Sequence, residues 1–174
     1  MKKILIIAII ISFTTSVFSQ DDDDLKQPKV THSVTFGLDV ANTLWGGTVN
    51  SRAMDFQIGY LIKDNYTNIE VGVMYERFPK LNFEMSTMVI QKVLEPLKNT
   101  ELIVGGEHGV IHRWDGYLNK VSDTDEYHYT YGANAEVRYK LTRTVWIGIQ
   151  FNFINRTDIK KWLGNNTLNL KINL

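Results

Sequence analysis

The stretch that decides the fold is YGANAEVRYKLTRTVWIGIQFNFI, which runs from Tyr131 to Ile154. From Val145 to Phe153 every second residue is large and apolar, and most residues between them are small or carry amides. Successive side chains of a β-strand point to opposite faces, so this segment predicts a strand with one apolar and one polar face. The residues up to Lys140 alternate in the same way, and residues 141–143 leave room only for a tight turn. The stretch therefore predicts an antiparallel hairpin.

The same alternation recurs along the chain and predicts eight strands. They lie at 32–45, 54–62, 69–76, 81–94, 102–110, 131–140, 145–154 and 168–174. The connections after strands two, four and six are short, whereas two of those at the other end are longer and more polar. This layout is typical of an antiparallel up-and-down transmembrane β-barrel. Strand four is ambiguous, because Val89 and Val93 also fit a helical spacing, but its β-branched residues favour a strand.

The N-terminus has the features of an exported protein. Lys2 and Lys3 precede an apolar run, and small residues lie before Gln20, so residues 1–19 are predicted to form a cleaved signal peptide. Residues 20–30, which include four consecutive aspartates, are predicted to be a charged leader, and residues 31–174 a single barrel domain. The chain has no cysteine, which excludes a lipid-anchored lipoprotein and a disulfide framework.

The composition of the two strand faces predicts which of them lines the barrel. An eight-stranded barrel has a narrow interior that side chains just fill. The polar face is rich in Gly, Ala, Ser, Thr and Asn, which fit such an interior, whereas the bulky apolar face does not. The apolar face is therefore predicted to contact lipid, with aromatic residues near the strand ends at the membrane interfaces. The alternative is a soluble lipocalin-like carrier of hydrophobic ligands, in which the two faces are reversed.

Two segments resemble a known family. FPKLNFE (78–84) and EPLKNTELIVGGEHGVIHR (95–113) look like the segments that outer-membrane barrels carry at strands three to five. The last strand resembles the C-terminal signal read by the barrel-assembly machinery, although Leu174 replaces the usual aromatic residue. From about Val30 onward the chain resembles the bacterial outer-membrane β-barrel domain family, which includes small OmpA-type and OmpX-type barrels. The resemblance implies a porin-like barrel in the Gram-negative cell outer membrane, with outer-membrane lipid and the assembly machinery as partners.

Strand parity assigns a set of charged side chains to the lumen. A carboxylate buried there needs a cation or a hydrogen-bond donor, so we expect a polar network that plugs the lumen. Its predicted members are Asp39, Asp55, Glu70, Glu76, Glu84, Glu107, Glu136, Arg138 and Lys171. Further basic residues assigned inward are Lys92, Arg113 and Lys140. The alternative is a narrow, cation-preferring channel, since a general diffusion pore needs about sixteen strands.

The connection between strands five and six is the candidate interaction surface, because it places aromatic rings beside charged groups. Its predicted members are Trp114, Asp115, Tyr117, Asp123, Asp125 and Glu126. Such a surface suits an unidentified protein or surface partner. Nucleic acid is excluded as a partner, because acidic and basic residues balance at 19 each and form no basic stripe.

Catalysis, metal binding and cofactor binding are not predicted. His108 and His112 are four residues apart, but on a strand this spacing separates the rings by about 13 Å. His128 and Thr130 share a strand face, but no acid converges on them, so an enzyme is not expected. The sequence therefore predicts an integral outer-membrane barrel with a structural or surface-interaction role through its outer loops.

Overall fold

The chain forms a barrel of eight β-strands in the computed structural model, which describes residues 29–39, 55–78, 83–114 and 125–174. The strands are β1 (Val30–Asp39), β2 (Phe56–Asp64), β3 (Ile69–Phe78), β4 (Phe83–Leu97), β5 (Thr100–Arg113), β6 (Glu126–Lys140), β7 (Val145–Arg156) and β8 (Lys161–Asn173). The predicted signal peptide and most of the predicted leader lie outside the described residues.

The barrel is closed and entirely antiparallel. Each strand pairs with its neighbours in sequence, and β1 pairs with β8 to complete the circle. The predicted fold class and strand number are therefore confirmed. Closure removes both sheet edges, so the backbone of every strand finds its hydrogen-bond partners within the barrel. Among the described residues, no helix is long and apolar enough to cross a membrane.

The two ends of the barrel differ in their connections. At one end, named here the turn end, two to four residues join β2 to β3, β4 to β5 and β6 to β7. Asn68 and Asn99 adopt positive φ angles of 52° and 67° there, a conformation that asparagine tolerates. Both ends of the barrel sequence meet at the turn end, where the backbone N–H of Leu174 donates to His32. The opposite, loop end carries the longer connections, 40–55 and 114–125.

Large apolar side chains form a belt around the outside of the barrel. Its members include Phe36, Ile58, Val73, Ile90, Val104, Val137, Ile149, Phe151, Leu168 and Leu170, all of them exposed. The residues at intervening positions are mostly buried and polar, and they line the interior. An apolar exterior around a polar interior is the arrangement of a barrel in lipid, and the reverse of a soluble carrier.

The predicted parity of β4 is wrong. Glu84 and Lys92, which parity assigned to the lumen, lie on the outer face, whereas Phe83, Met85 and Val89 point inward and are buried. Strand β4 is apolar on both faces, so its alternation alone does not tell inside from outside. Its parity follows from pairing with β3, in which inward-facing Glu76 lies opposite Met85.

Glycines on neighbouring strands make room for the large side chains inside. A Cβ added at Gly72 would lie 2.7 Å from Cδ2 of Leu61, and one at Gly59 would overlap the sulfur of Met74. Leu61, Met74 and Val89 form a buried apolar cluster beside these glycines. Strand β4 itself continues beyond its predicted end at residue 94 and through Pro96, with a register shift between Leu94 and Leu97.

Candidate functional site

An ion network lies in the lumen near the turn end. It consists of Lys63, Glu70, Glu101, Glu136, Arg138 and Lys171, and is named here the inner ion network. Arg138 is its centre, because one guanidinium nitrogen lies 2.8 Å from Glu70 and another lies 2.7 Å from Glu136. Nζ of Lys63 lies 2.9 Å from Glu101, and Lys171 pairs with the second oxygen of Glu70.

The inner ion network balances its charges within the barrel. Three carboxylates face three cations, and all six side chains are buried. Amides extend the network: Gln91 donates to Glu70 at 2.7 Å, and Asn169 donates to Gln150 at 2.8 Å. Buried charges are tolerated when they are paired and hydrogen-bonded in this way. The network therefore ties β2, β3, β5, β6 and β8 together across the lumen.

An apolar plug occupies the lumen near the loop end. It consists of Phe78, Phe83, Met85, Ile111 and Ile154, all of them buried. The rings of Phe78 and Phe83 stack with their centroids 4.2 Å apart. A pocket of about 120 Å³ is lined by members of this plug together with Asp39, Arg156 and Asn165.

Two arginines and an aspartate cover the apolar plug. The guanidinium carbon of Arg156 lies 4.0 Å from the ring centroid of Phe83. Asp158, in the turn between β7 and β8, accepts from Arg156 at 2.5 and 3.0 Å and lies 2.8 Å from Arg113. Burial alone would raise the pKa of Asp158, but the hydrogen bonds and charge of Arg156, with the charge of Arg113, hold it below its ordinary value. We name these three residues the loop-end clasp.

Replacing Asp158 with asparagine is expected to destabilise the barrel at neutral pH and to have a progressively smaller effect in acid. Because the pKa of Asp158 is lowered on folding, its ionised form contributes stability above the unfolded pKa, which is about 4, and loses it as the pH falls through the folded pKa. Urea unfolding of wild type and Asp158→Asn between pH 7 and 3 measures the difference. A difference that stays constant over this range would contradict the ionic role of the clasp.

Four carboxylates share the lumen between the inner ion network and the loop-end clasp. Asp39, Asp55, Glu76 and Glu107 are all buried. Asn165 donates to Glu76 at 2.9 Å. Within the part of the chain that the structure describes, no group of acidic or histidine side chains has the geometry of a metal site. These carboxylates make the loop-end half of the lumen the more acidic half.

A second polar group lies outside the barrel, at the loop end of β3, β4 and β5. The hydroxyl of Tyr75 donates to Glu84 at 2.5 Å, and the other oxygen of Glu84 lies 3.2 Å from Nδ1 of His112. Nε2 of His112 lies 3.5 Å from Asp125, and the guanidinium carbon of Arg77 lies 5.7 Å from the ring centroid of Trp114. We name Tyr75, Arg77, Glu84 and His112 the outer polar cluster.

The structure separates the predicted site residues into three sets. Eight predicted lumen residues are buried inside the barrel: Asp39, Asp55, Glu70, Glu76, Glu107, Glu136, Arg138 and Lys171. Glu84 belongs instead to the outer polar cluster. Of the predicted loop surface, Trp114 and Asp125 lie beside His112, and Glu126 begins β6 beside His128. Asp115, Tyr117 and Asp123 lie outside the described residues.

Sequence reasoning missed three charged residues of the lumen. The predicted strand ends leave Lys63 and Arg156 in connections and Glu101 just before strand five. In the structure β2 and β7 extend to residues 64 and 156, and β5 begins at residue 100. Continuing the alternation two residues beyond each predicted strand end would have placed all three inward.

The fold is shared with a known outer-membrane barrel domain. The N-terminal β-barrel domain of Pseudomonas aeruginosa OprF is similar, with a TM-score of 0.57 and 12% identity, over 84% of this chain and 98% of that domain. Neisserial surface protein A and Yersinia pestis Ail have TM-scores of 0.49, with 14% and 12% identity, over 83% of this chain and 94% and 99% of theirs. No protein-family model and no curated protein matches the sequence. The closed barrel and its match to the OprF domain show an eight-stranded barrel of the outer-membrane type, and the apolar belt agrees with a location in that membrane.

Proposed function

We propose that this outer-membrane barrel has a structural or surface-interaction role and that its lumen is plugged to solutes. The inner ion network carries this proposal. Its six paired side chains are buried together in the lumen near the turn end, and the apolar plug lies in the lumen near the loop end, so both support a closed path. An eight-stranded barrel has an interior that side chains just fill, which agrees with a plugged lumen.

Planar-bilayer recording of the refolded barrel tests this proposal. We expect no stepwise conductance from the wild-type protein in neutral salt, because ions would have to displace paired charges from a low-dielectric interior. A sixteen-stranded porin inserted under the same conditions serves as the positive control. Regular, cation-selective steps from the wild-type barrel would overturn the proposal.

Those steps would instead favour the narrow, cation-preferring channel. The observation that supports a channel is the acidic half of the lumen, where four carboxylates are buried together: Asp39, Asp55, Glu76 and Glu107. Replacing Glu76 and Glu107 with glutamine would then lower the cation selectivity. In a plugged barrel, by contrast, the same pair of substitutions leaves the recording silent.

A further inference from the structure

The outside of the barrel carries a large apolar groove. It has a volume of about 720 Å³ and crosses the outer faces of β1 to β6. Its apolar walls come from Val34, Ile58, Val73, Met88 and Val110, with the ring of Tyr129. This volume falls in the range of small-molecule sites, about 300–1,000 Å³. In a membrane the groove faces the acyl chains of the surrounding lipid.

The groove runs into the outer polar cluster at its loop-end limit. Tyr75 belongs to both, because it lines the groove and its hydroxyl donates to Glu84. Charged side chains on the lipid face are costly in the middle of a bilayer and tolerated near its interfaces. The charged members of the outer polar cluster therefore mark the level of the lipid headgroups, directly above the groove.

Two polar side chains line the groove below the cluster. Ser86 lies opposite Tyr75 on the neighbouring strand, and His108 lies opposite Met88. Both point outward among apolar residues, at a depth where a hydrocarbon chain alone offers them no hydrogen bond. A lipid whose chain is joined through an ester or an amide carries acceptors at this depth, just below its headgroup.

The headgroup end of the groove presents a cation to the outside. Arg77 is exposed and follows Tyr75 by two residues on the same face. Its planar guanidinium can donate two parallel hydrogen bonds to a phosphate. His112 lies across β4 from this position, where its two ring nitrogens face Glu84 and Asp125 and its ring stacks on Tyr127, with centroids 4.6 Å apart. Arg77 is therefore the cation of the cluster that remains for an anionic headgroup. The carboxylate of Glu84 is already occupied by Tyr75 and His112.

We propose that the outer groove and the outer polar cluster together bind one acylated lipid that carries a phosphate. The acyl chain lies in the groove against Val73 and Met88, the ester or amide lies at Ser86, and Arg77 binds the phosphate. This inference concerns the exterior of the barrel and goes beyond the proposed function. A conducting lumen would not affect it, and failure of lipid binding would not affect the proposal of a plugged lumen.

Native mass spectrometry of the refolded barrel in a non-ionic detergent tests the proposal, with dioleoyl phosphatidic acid and dioleoylglycerol as probes. The two probes share their acyl chains and differ in the phosphate. We expect one phosphatidic acid to be retained per barrel, at least about tenfold more tightly than dioleoylglycerol, because a charge-assisted pair is lost with the phosphate.

Two variants separate the headgroup from the chain. Arg77→Gln should weaken the binding of phosphatidic acid by about tenfold and leave the binding of dioleoylglycerol unchanged. Arg77→Lys should restore part of the lost affinity. Val73→Trp fills the groove with a larger side chain and should weaken the binding of both lipids. The matched controls are Arg143→Gln in a turn-end connection and Val137→Trp on the outer face of β6, which should change neither. Unboiled and boiled gel samples show that every variant is folded.

Three results would overturn the proposal. Equal retention of the two lipids would show that the phosphate is not recognised. Full displacement of phosphatidic acid by inorganic phosphate would show that the groove adds nothing to binding. Retention of a second barrel in place of lipid, lost on Val73→Trp, would show that this face is an interface between two copies.

Discussion

Replacing Arg138 with methionine is expected to lower the free energy of unfolding by about 3–5 kcal/mol, the cost of removing one partner from a buried ion pair. Arg138 contacts Glu70 and Glu136 inside the barrel, so its loss leaves two buried carboxylates with one cation fewer between them. Methionine fills part of the volume but supplies no charge. Urea unfolding in lipid vesicles, followed by the shift between the folded and unfolded gel bands, measures the change.

A second substitution tests whether the loss comes from uncompensated charge. Glu136→Gln, combined with Arg138→Met, should recover part of the lost stability, because the amide does not leave a buried negative charge. Arg143→Met is the matched control, because this arginine lies exposed in the connection between β6 and β7. If Arg138→Met lowered the free energy of unfolding by less than about 1 kcal/mol, its ion pairs would contribute no more than ordinary surface pairs. That result would contradict the role of the inner ion network.

Replacing Phe83 with alanine is expected to lower the free energy of unfolding by about 3–5 kcal/mol, the range for truncating a large side chain in a packed interior. Phe83 is 2% exposed, stacks on Phe78 and lies under the guanidinium of Arg156. Its removal opens a cavity in the apolar plug that the surrounding strands cannot close. The same unfolding assay reports the change.

Phe151→Ala provides the matched comparison for Phe83→Ala. Phe151 is 53% exposed on the outer face of β7, where lipid chains replace the lost ring. We expect the free energy of unfolding to fall by only about 1–2 kcal/mol, since only the side of the ring that packs on the barrel loses protein contacts. A larger cost for Phe151 than for Phe83 would show that the apolar belt, and not the plug, is the packed interior of the protein.

Most of the lumen could be predicted from the sequence because the alternation of a strand has only two phases. Where one phase is bulky and the other polar, as from Gly148 to Asn152 in β7, the narrow interior admits only the polar phase. The same reasoning placed Glu70, Glu136 and Arg138 inside, and the structure finds all three buried there. Which of these charges contact one another was not predictable, because their partners lie on strands up to 101 residues away in sequence.

The outer polar cluster could not be predicted, because it depends on the phase of one strand. In β4 both faces contain large apolar side chains. Shifting the alternation by one residue would place Glu84 inside and Phe83 outside, and nothing in the sequence of the strand disfavours that assignment. Only the pairing of β4 with β3 and β5 brings Glu84 outside, opposite Arg77 and His112. The prediction therefore placed Glu84 in the lumen, although its carboxylate joins Tyr75 and His112 on the exterior.

The sequence by itself determined the eight strands, their closure into a barrel and the direction of its apolar face, since these follow from local alternation and from the volume of an eight-stranded interior. Only the tertiary structure decided the phase of β4, the partners of Arg138 and the junction between the outer groove and the outer polar cluster. Each of these depends on register between strands. Register brings together side chains that no local pattern relates, and glycines such as Gly59 and Gly72 let large side chains enter the lumen beside them.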